Sequence, residues 1–233
     1  MVSGFAHAPL SKAFTSLSAL CIAALDIKPF IRFQFVPHIT EYAQYWQALL
    51  YHIAFPSSDR HVLCVVVLYF GGAAVERRLG SRRYAVFLIS AALLHSLFSL
   101  VWGACVAMLP AIAPEYIRSG FLPGGPYGVL AALAYEYYVA NPPLWSVRVG
   151  ALEFTDRVLI AIPVLLLALA EAPNSLVSVV LGFAAARVYH MRLGNFSLSK
   201  LDVSAGVAHR FQSLLPLVGS LQLPTRTSRA EYI

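Results

Sequence analysis

The chain has 233 residues, of which 59% are apolar and 12% charged, with a mean hydropathy of +0.69. A soluble domain spends about a quarter of its residues on charge, so too little polar surface remains here to cover a water-facing globule, and lipid is the expected solvent for most of the chain. A net charge of +6 would suit a nucleic-acid partner, but the distribution of that charge follows a membrane topology instead, and no nucleic acid is expected.

In chain order, the first apolar stretch covers residues 12–29. Asp26 and Lys28 follow its apolar core without a small-residue cleavage site, so it reads as a retained span rather than a leader. Residues 30–60 are semi-apolar and carry Phe30, Phe33, Phe35, Tyr42, Tyr45, Trp46, Tyr51 and Phe55; aromatic rings of this density suit a segment lying in the membrane interface. Further apolar stretches cover residues 61–75, 84–110, 121–140, 158–170 and 175–189. Each is near the ~20 residues that cross hydrocarbon, and the short second and fifth call for a thin bilayer or help from neighbouring residues. The expected fold is all-α, a polytopic bundle of six transmembrane helices over residues 1–195. A cytosolic tail over residues 196–233 follows, partly amphipathic or disordered, with Pro216 interrupting its mixed stretch 203–223.

Alternating sides from a cytosolic N-terminus gives the charge count. One side holds Lys12, Arg77, Arg78, Arg82, Arg83, Arg148, Arg157, Arg187, Arg192, Lys200, Arg210, Arg226 and Arg229, which is thirteen; the other holds Lys28, Arg32, Arg60 and Arg118, which is four. Positive loops stay in the cytosol, so both termini are expected there.

Cys21, Cys64 and Cys105 lie inside apolar stretches without metal-ligand spacing and read as packed, reduced side chains. No metal or cofactor is expected. Glu136 is the one acid within an apolar helix. Its place in Tyr135-Glu136-Tyr137-Tyr138, near a helix exit, is accounted for by an aromatic belt and snorkelling. His95 reads as a hydrogen-bonded core histidine, and Ser96, Ser99, Ser175 and Ser178 as hydroxyls that bond between helices.

Two motifs carry a resemblance. The first is Trp46-Gln47, then His52 and His61, then the run from Gly71-Gly72 through Glu76-Arg77-Arg78-Leu79-Gly80-Ser81. It resembles the rhomboid superfamily, whose first loop begins with Trp-Arg and whose second helix ends in G-x-x-x-E-x-R-x-G-S. The second is Ser119-Gly120-Phe121-Leu122-Pro123-Gly124, placed at the opening of the fourth helix. With Ala8-Pro9-Leu10-Ser11-Lys12, these runs are similar to the UBA-domain-containing branch of rhomboid-like pseudoproteases, which includes a subunit of the fungal Dsc membrane ubiquitin ligase.

Rhomboid proteases use a Ser in G-x-S-G-x-x-x-G and a His on the sixth helix. Here Ser119, Gly120 and Gly124 match part of that pattern, but Ile117 replaces the first Gly, and the register on Gly124-Gly125-Pro126-Tyr127-Gly128 contains no serine. Residues 158–189 contain no histidine, His190 is read as lying beyond the sixth helix, and the oxyanion Asn expected four residues after His61 is Val65. A serine without a base is a poor nucleophile. The resemblance therefore implies a non-catalytic scaffold that binds transmembrane clients or the membrane subunits of a ubiquitin ligase in the endoplasmic reticulum or Golgi. The residues 72–81 are expected to be structural, with Glu76 accepting hydrogen bonds from the following loop and pairing with Arg77 or Arg78. The tail shows neither the Met-Gly-Phe/Tyr loop nor the three amphipathic runs of a UBA domain, so membrane-client binding is expected rather than ubiquitin binding. An intramembrane serine protease using Ser119 is the alternative. A transporter is disfavoured by the lack of an inverted repeat.

Overall fold

The computed structural model describes residues 7–24, 41, 51–52, 55, 58–108, 122–143, 145–149, 152–193 and 196–197. These residues are chiefly helical, and two short hairpins accompany six helices among them.

Helix α1 is Pro9–Ala24. Proline suits a first helical position, where its missing N–H would have had no helical partner. Helix α2 runs through Ser58–Val67, a π-helical turn Leu68–Gly72, and Ala73–Leu79. The π turn shifts the face that the helix presents, and its two glycines serve different neighbours. A Cβ on Gly71 would lie 3.1 Å from Ile160, and one on Gly72 would lie 3.0 Å from the Tyr84 hydroxyl and 3.2 Å from that of Ser11. Gly80, at φ 80° and ψ 149°, ends α2 and opens α3, Ser81–Ala107; that conformation is open essentially to glycine alone.

Helix α3 has 27 residues, long and apolar enough to cross a membrane, and only 28% of its most apolar window is buried in the fold. Its exposed residues Ile89, Leu93, Leu97 and Val101 repeat every fourth position, forming one outward stripe. Helix α4, Tyr127–Ala140, is the opposite case. Eleven of its fourteen residues are buried, so the other helices surround it. Helix α5, Val158–Ala170, buries Ile160, Pro163, Val164, Leu167 and Ala168 and exposes Leu159, Ile162, Leu165, Leu166 and Leu169. Helix α6, Asn174–His190, lies against α4 so closely that a Cβ on Gly182 would stand 2.3 Å from the Gly128 carbonyl oxygen.

Between α4 and α5 a hairpin pairs β1, Ser146–Val149, with β2, Leu152–Thr155, in antiparallel register. After α6, Arg192–Leu193 (β3) pairs with Phe196–Ser197 (β4). Successive helices α2 to α6 alternate in direction, as their end contacts show. The Arg60–Glu171 ion pair joins the start of α2 to the end of α5. At the other end, Glu136 meets His190, Tyr137 meets Asp156, and Phe87 stacks edge-on against Tyr189.

Three sequence expectations change. Helix α4 begins at Tyr127 rather than at residue 121, because Pro123, Gly124, Gly125 and Pro126 hold that stretch outside a helix. Gly125 takes φ 135°, donates its N–H to the Tyr51 carbonyl at 2.8 Å, and leaves no room for a Cβ beside the Phe55 ring. His190 is the last residue of α6 rather than a residue beyond it. Cys64 is buried, but Cys105 is exposed on the outer side of α3.

Candidate functional site

Two clusters gather most of the buried polar side chains among the described residues. In the first, the carboxylate of Glu76, only 1% exposed, receives hydrogen bonds from the first turn of α1. The N–H of Leu10 donates to Oε1 at 2.9 Å, and the N–H and hydroxyl of Ser11 each donate to Oε2 at 2.8 Å. Ser81 Oγ adds a fourth bond, to Oε1 at 2.8 Å. The first N–H groups of a helix have no partner within it and carry partial positive charge, so a carboxylate supplied by another helix caps α1 and neutralises that end. Gly72, one turn before Glu76, provides the space for Ser11 and Tyr84, whose hydroxyls meet at 3.3 Å.

Arg77 and Arg78, expected to pair with Glu76, are exposed on the outer side of α2. The carboxylate itself is buried, with its hydrogen bonds from α1 and Ser81. Gly72, Glu76, Gly80 and Ser81 thus converge on the junction of α1, α2 and α3. Gly124 lies in the non-helical stretch before α4. Trp46, Ser119 and Gly120 lie outside the described residues.

In the second cluster His95 of α3, fully buried, joins three segments. Its Nδ1 lies 2.9 Å from the Tyr51 hydroxyl, and its Nε2 lies 3.0 Å from the Ser178 carbonyl oxygen and 3.2 Å from Ser178 Oγ. Tyr51 also meets Ser99 Oγ at 2.8 Å, and His52 Nε2 meets Ser96 Oγ at 2.9 Å. Gly128 of α4 makes room for the imidazole, since a Cβ there would fall 2.1 Å from the ring.

Ser178 beside an imidazole invites comparison with a nucleophile and its base, but the proton positions oppose that role. A carbonyl oxygen only accepts, so Nε2 carries the proton that it donates to Ser178, and Nδ1 accepts from Tyr51. The nitrogen nearest Ser178 Oγ therefore has no lone pair with which to take its proton. Ser178 is also completely buried against the bundle. The cluster fastens α3 to α6 and to the Tyr51–His52 turn.

Glu136, expected to reach outward, is 4% exposed and meets His190 Nε2 at 2.5 Å. The partner was hidden because it lies 54 residues away, at the close of another helix. Ser175 behaves as the other interhelical serines do, donating to the Ala168 carbonyl of α5 at 2.7 Å.

Among the known proteins similar to the chain are the following two. One is the DSC E3 ubiquitin ligase complex subunit 2 of Schizosaccharomyces pombe, 26% identical over 178 residues, covering 76% of this chain and 46% of that protein. The other is Rhomboid-like protein 18 of Arabidopsis thaliana, 26% identical over 232 residues, covering 97% of this chain and 76% of the relative. The chain thus spans about half the length of the S. pombe protein. No protein-family model and no solved structure matches it. The two likenesses support a rhomboid-like family akin to that ligase subunit.

Proposed function

We propose that the chain is a rhomboid-like, non-catalytic membrane subunit of a ubiquitin-ligase complex in the endoplasmic reticulum or Golgi, where it binds partner subunits and transmembrane segments of client proteins. The bundle is proposed to be polytopic, with six spans over residues 1–195 and both termini cytosolic. The observation that carries this reading is the pattern of burial. Helix α4 is enclosed, while α1, α2, α3, α5 and α6 turn large apolar residues outward, Leu17, Leu20, Val62, Leu93, Leu165 and Val180 among them. Water would penalise such a surface by about 25 cal/mol per Å², whereas hydrocarbon accepts it.

Charge supports the same orientation. Arg77, Arg78, Arg83 and Arg187 are exposed at the end where α2 and α6 finish and α3 begins, and Arg157 lies at the same end, where α5 begins. Arg60 lies at the opposite end, held by Glu171. The unengaged chemistry of a protease is missing from the described polar clusters, where His95 is committed on both nitrogens. The ligase assignment rests on the likeness to the S. pombe subunit.

Purification of the full chain in a mild detergent tests the proposal. Membrane subunits of a ubiquitin ligase should co-purify in fixed proportion, and a fluorophosphonate probe should label no serine. Labelling of Ser119 together with a cleavage product lost in Ser119→Ala would replace this reading with proteolysis.

A further inference from the structure

The hairpin β1–β2 is an anomaly in a bundle of this kind. Among the described residues its strands pack chiefly along each other, and an isolated two-stranded hairpin is marginal in water. Its root is nevertheless firmly held. Tyr137 donates to Asp156 at 3.0 Å, and Arg157 donates to the carbonyls of Tyr138 at 3.2 Å and Asn141 at 2.9 Å, with its guanidinium over the Tyr138 ring. Asp156 is buried. The hairpin therefore leaves the bundle at a defined height, level with the ends of α4 and α5.

Two exposed apolar side chains stand on its first strand and its approach. Trp145 is 47% exposed and Val147 is 52% exposed. They are two residues apart in extended backbone, and alternate residues of a strand share a face. Exposed apolar residues also stand at the helix ends on both sides, Val139 at the end of α4 and Leu159 at the start of α5. Arg77, Arg78, Arg83 and Arg187 lie exposed at this same end of the bundle.

We infer that the β1–β2 hairpin is an interfacial anchor: it lies along the phospholipid headgroup layer at the arginine-rich end of the bundle, with Trp145 and Val147 seated in that layer. Tryptophan is the residue best suited to this depth, since its ring prefers the boundary while its N–H finds polar partners. The cations around it complement lipid phosphates. The exposed Val139 and Leu159 at the adjoining helix ends select lipid over a protein partner, because a protein docking on the strand edge would leave both without a matching cover.

The inference rests on the membrane reading above, and the experiment separates the two. The full chain with Trp46→Phe and Trp102→Phe retains Trp145 as its single tryptophan. It is assembled into nanodiscs of phosphatidylcholine and phosphatidylserine carrying a nitroxide at the headgroup or midway along the acyl chain. Trp145 emission should be quenched about twofold more by the headgroup nitroxide, as a ring at the interface requires, and should be shielded from aqueous acrylamide. Equal acrylamide quenching in nanodiscs and in water-exposed reference tryptophan, with no headgroup quenching, would overturn the anchor and favour a protein partner for the hairpin. Failure to assemble into nanodiscs would overturn the membrane reading and the anchor with it. Should the double variant not fold, subtracting the Trp145→Phe signal from that of the unaltered chain isolates the same emission.

Discussion

Glu76 and Ser11 are joined twice: Oε2 of the carboxylate lies 2.8 Å from both the amide nitrogen and the hydroxyl of Ser11, across 65 residues of chain. A side chain of α2 thereby serves as the N-terminal cap of α1. The arrangement ties the first helix to the bundle by directional polar contacts as well as by apolar packing.

Glu76→Ala should consequently lower thermal stability in detergent and steady-state abundance together. Two backbone donors and a buried hydroxyl would lose a charged acceptor, a loss on the order of 3 kcal/mol. Glu76→Gln, which keeps one acceptor oxygen but turns an amide toward the helix donors, should fall between the two. Equal melting temperatures for all three proteins would sink the capping assignment.

Gly80 is under a different constraint. A Cβ there would touch nothing within 4 Å, so space is not the issue; φ of 80° with ψ of 149° is. Gly80→Val should cost about 1–3 kcal/mol through backbone strain alone. It should thus lower the melting temperature without any partner residue able to rescue it. Unchanged stability would show that the α2–α3 junction can adopt another path.

Part of this was legible in the chain. The helical class, with six helices among the described residues, follows from the spacing of apolar stretches, and Gly72, Glu76 and Gly80 are noticeable because a small residue, a carboxylate and a glycine break an apolar run at fixed intervals. A bond to that carboxylate from the residues just after Gly80 was legible, and Ser81 supplies it; the donors on α1, 65 and 66 residues away, were not. Charge next to charge points to Arg77 and Arg78, which are adjacent in sequence, whereas the donors Leu10 and Ser11 come from a distant segment. The π turn at Leu68–Gly72 leaves no periodic signal of its own over five residues. The His95 cluster draws on Tyr51, Ser99 and Ser178, from three separate segments, so only the folded chain assembles it. The start of α4 differs from the apolar pattern because residues 121–126 are apolar enough to extend the helix, while the Pro and Gly among them forbid it.

The proposed orientation makes a direct topological prediction. A reporter fused after Ile233 should be cytosolic, and one inserted between Pro114 and Ser119 should be lumenal, in line with thirteen positive residues against four. Glycosylation or protease protection of the C-terminal reporter would rule out six spans with a cytosolic N-terminus.

The two serines nearest to any catalytic reading should behave as structural groups. Ser119→Ala should leave biological activity and melting temperature close to those of the unaltered protein. Ser178→Ala should cost about 1 kcal/mol, the usual worth of one hydroxyl hydrogen bond, with function tracking abundance. Loss of function in either variant at normal abundance would mark that serine as chemically engaged.

The contact between Gly128 and Gly182 sets the distance between α4 and α6. A methyl group on Gly182 would fall 2.3 Å from the Gly128 carbonyl oxygen and 2.6 Å from its Cα, both backbone atoms that cannot swing aside. A methyl on Gly128 would instead fall 2.1 Å from the His95 ring, displacing the imidazole that holds Tyr51 and Ser178. Gly182→Ala must therefore push the helices apart, whereas Gly128→Ala must push out a side chain and break its hydrogen bonds. Overpacking of a close helix contact costs about 1–3 kcal/mol, and Gly128→Ala should be the worse of the two because it also leaves buried polar groups unpaired. Differential scanning fluorimetry of both variants in one detergent measures the order. A Gly128→Ala protein that melts no lower than Gly182→Ala would mean that His95 has somewhere else to go, and that its cluster holds α3 to α6 less firmly than these distances indicate.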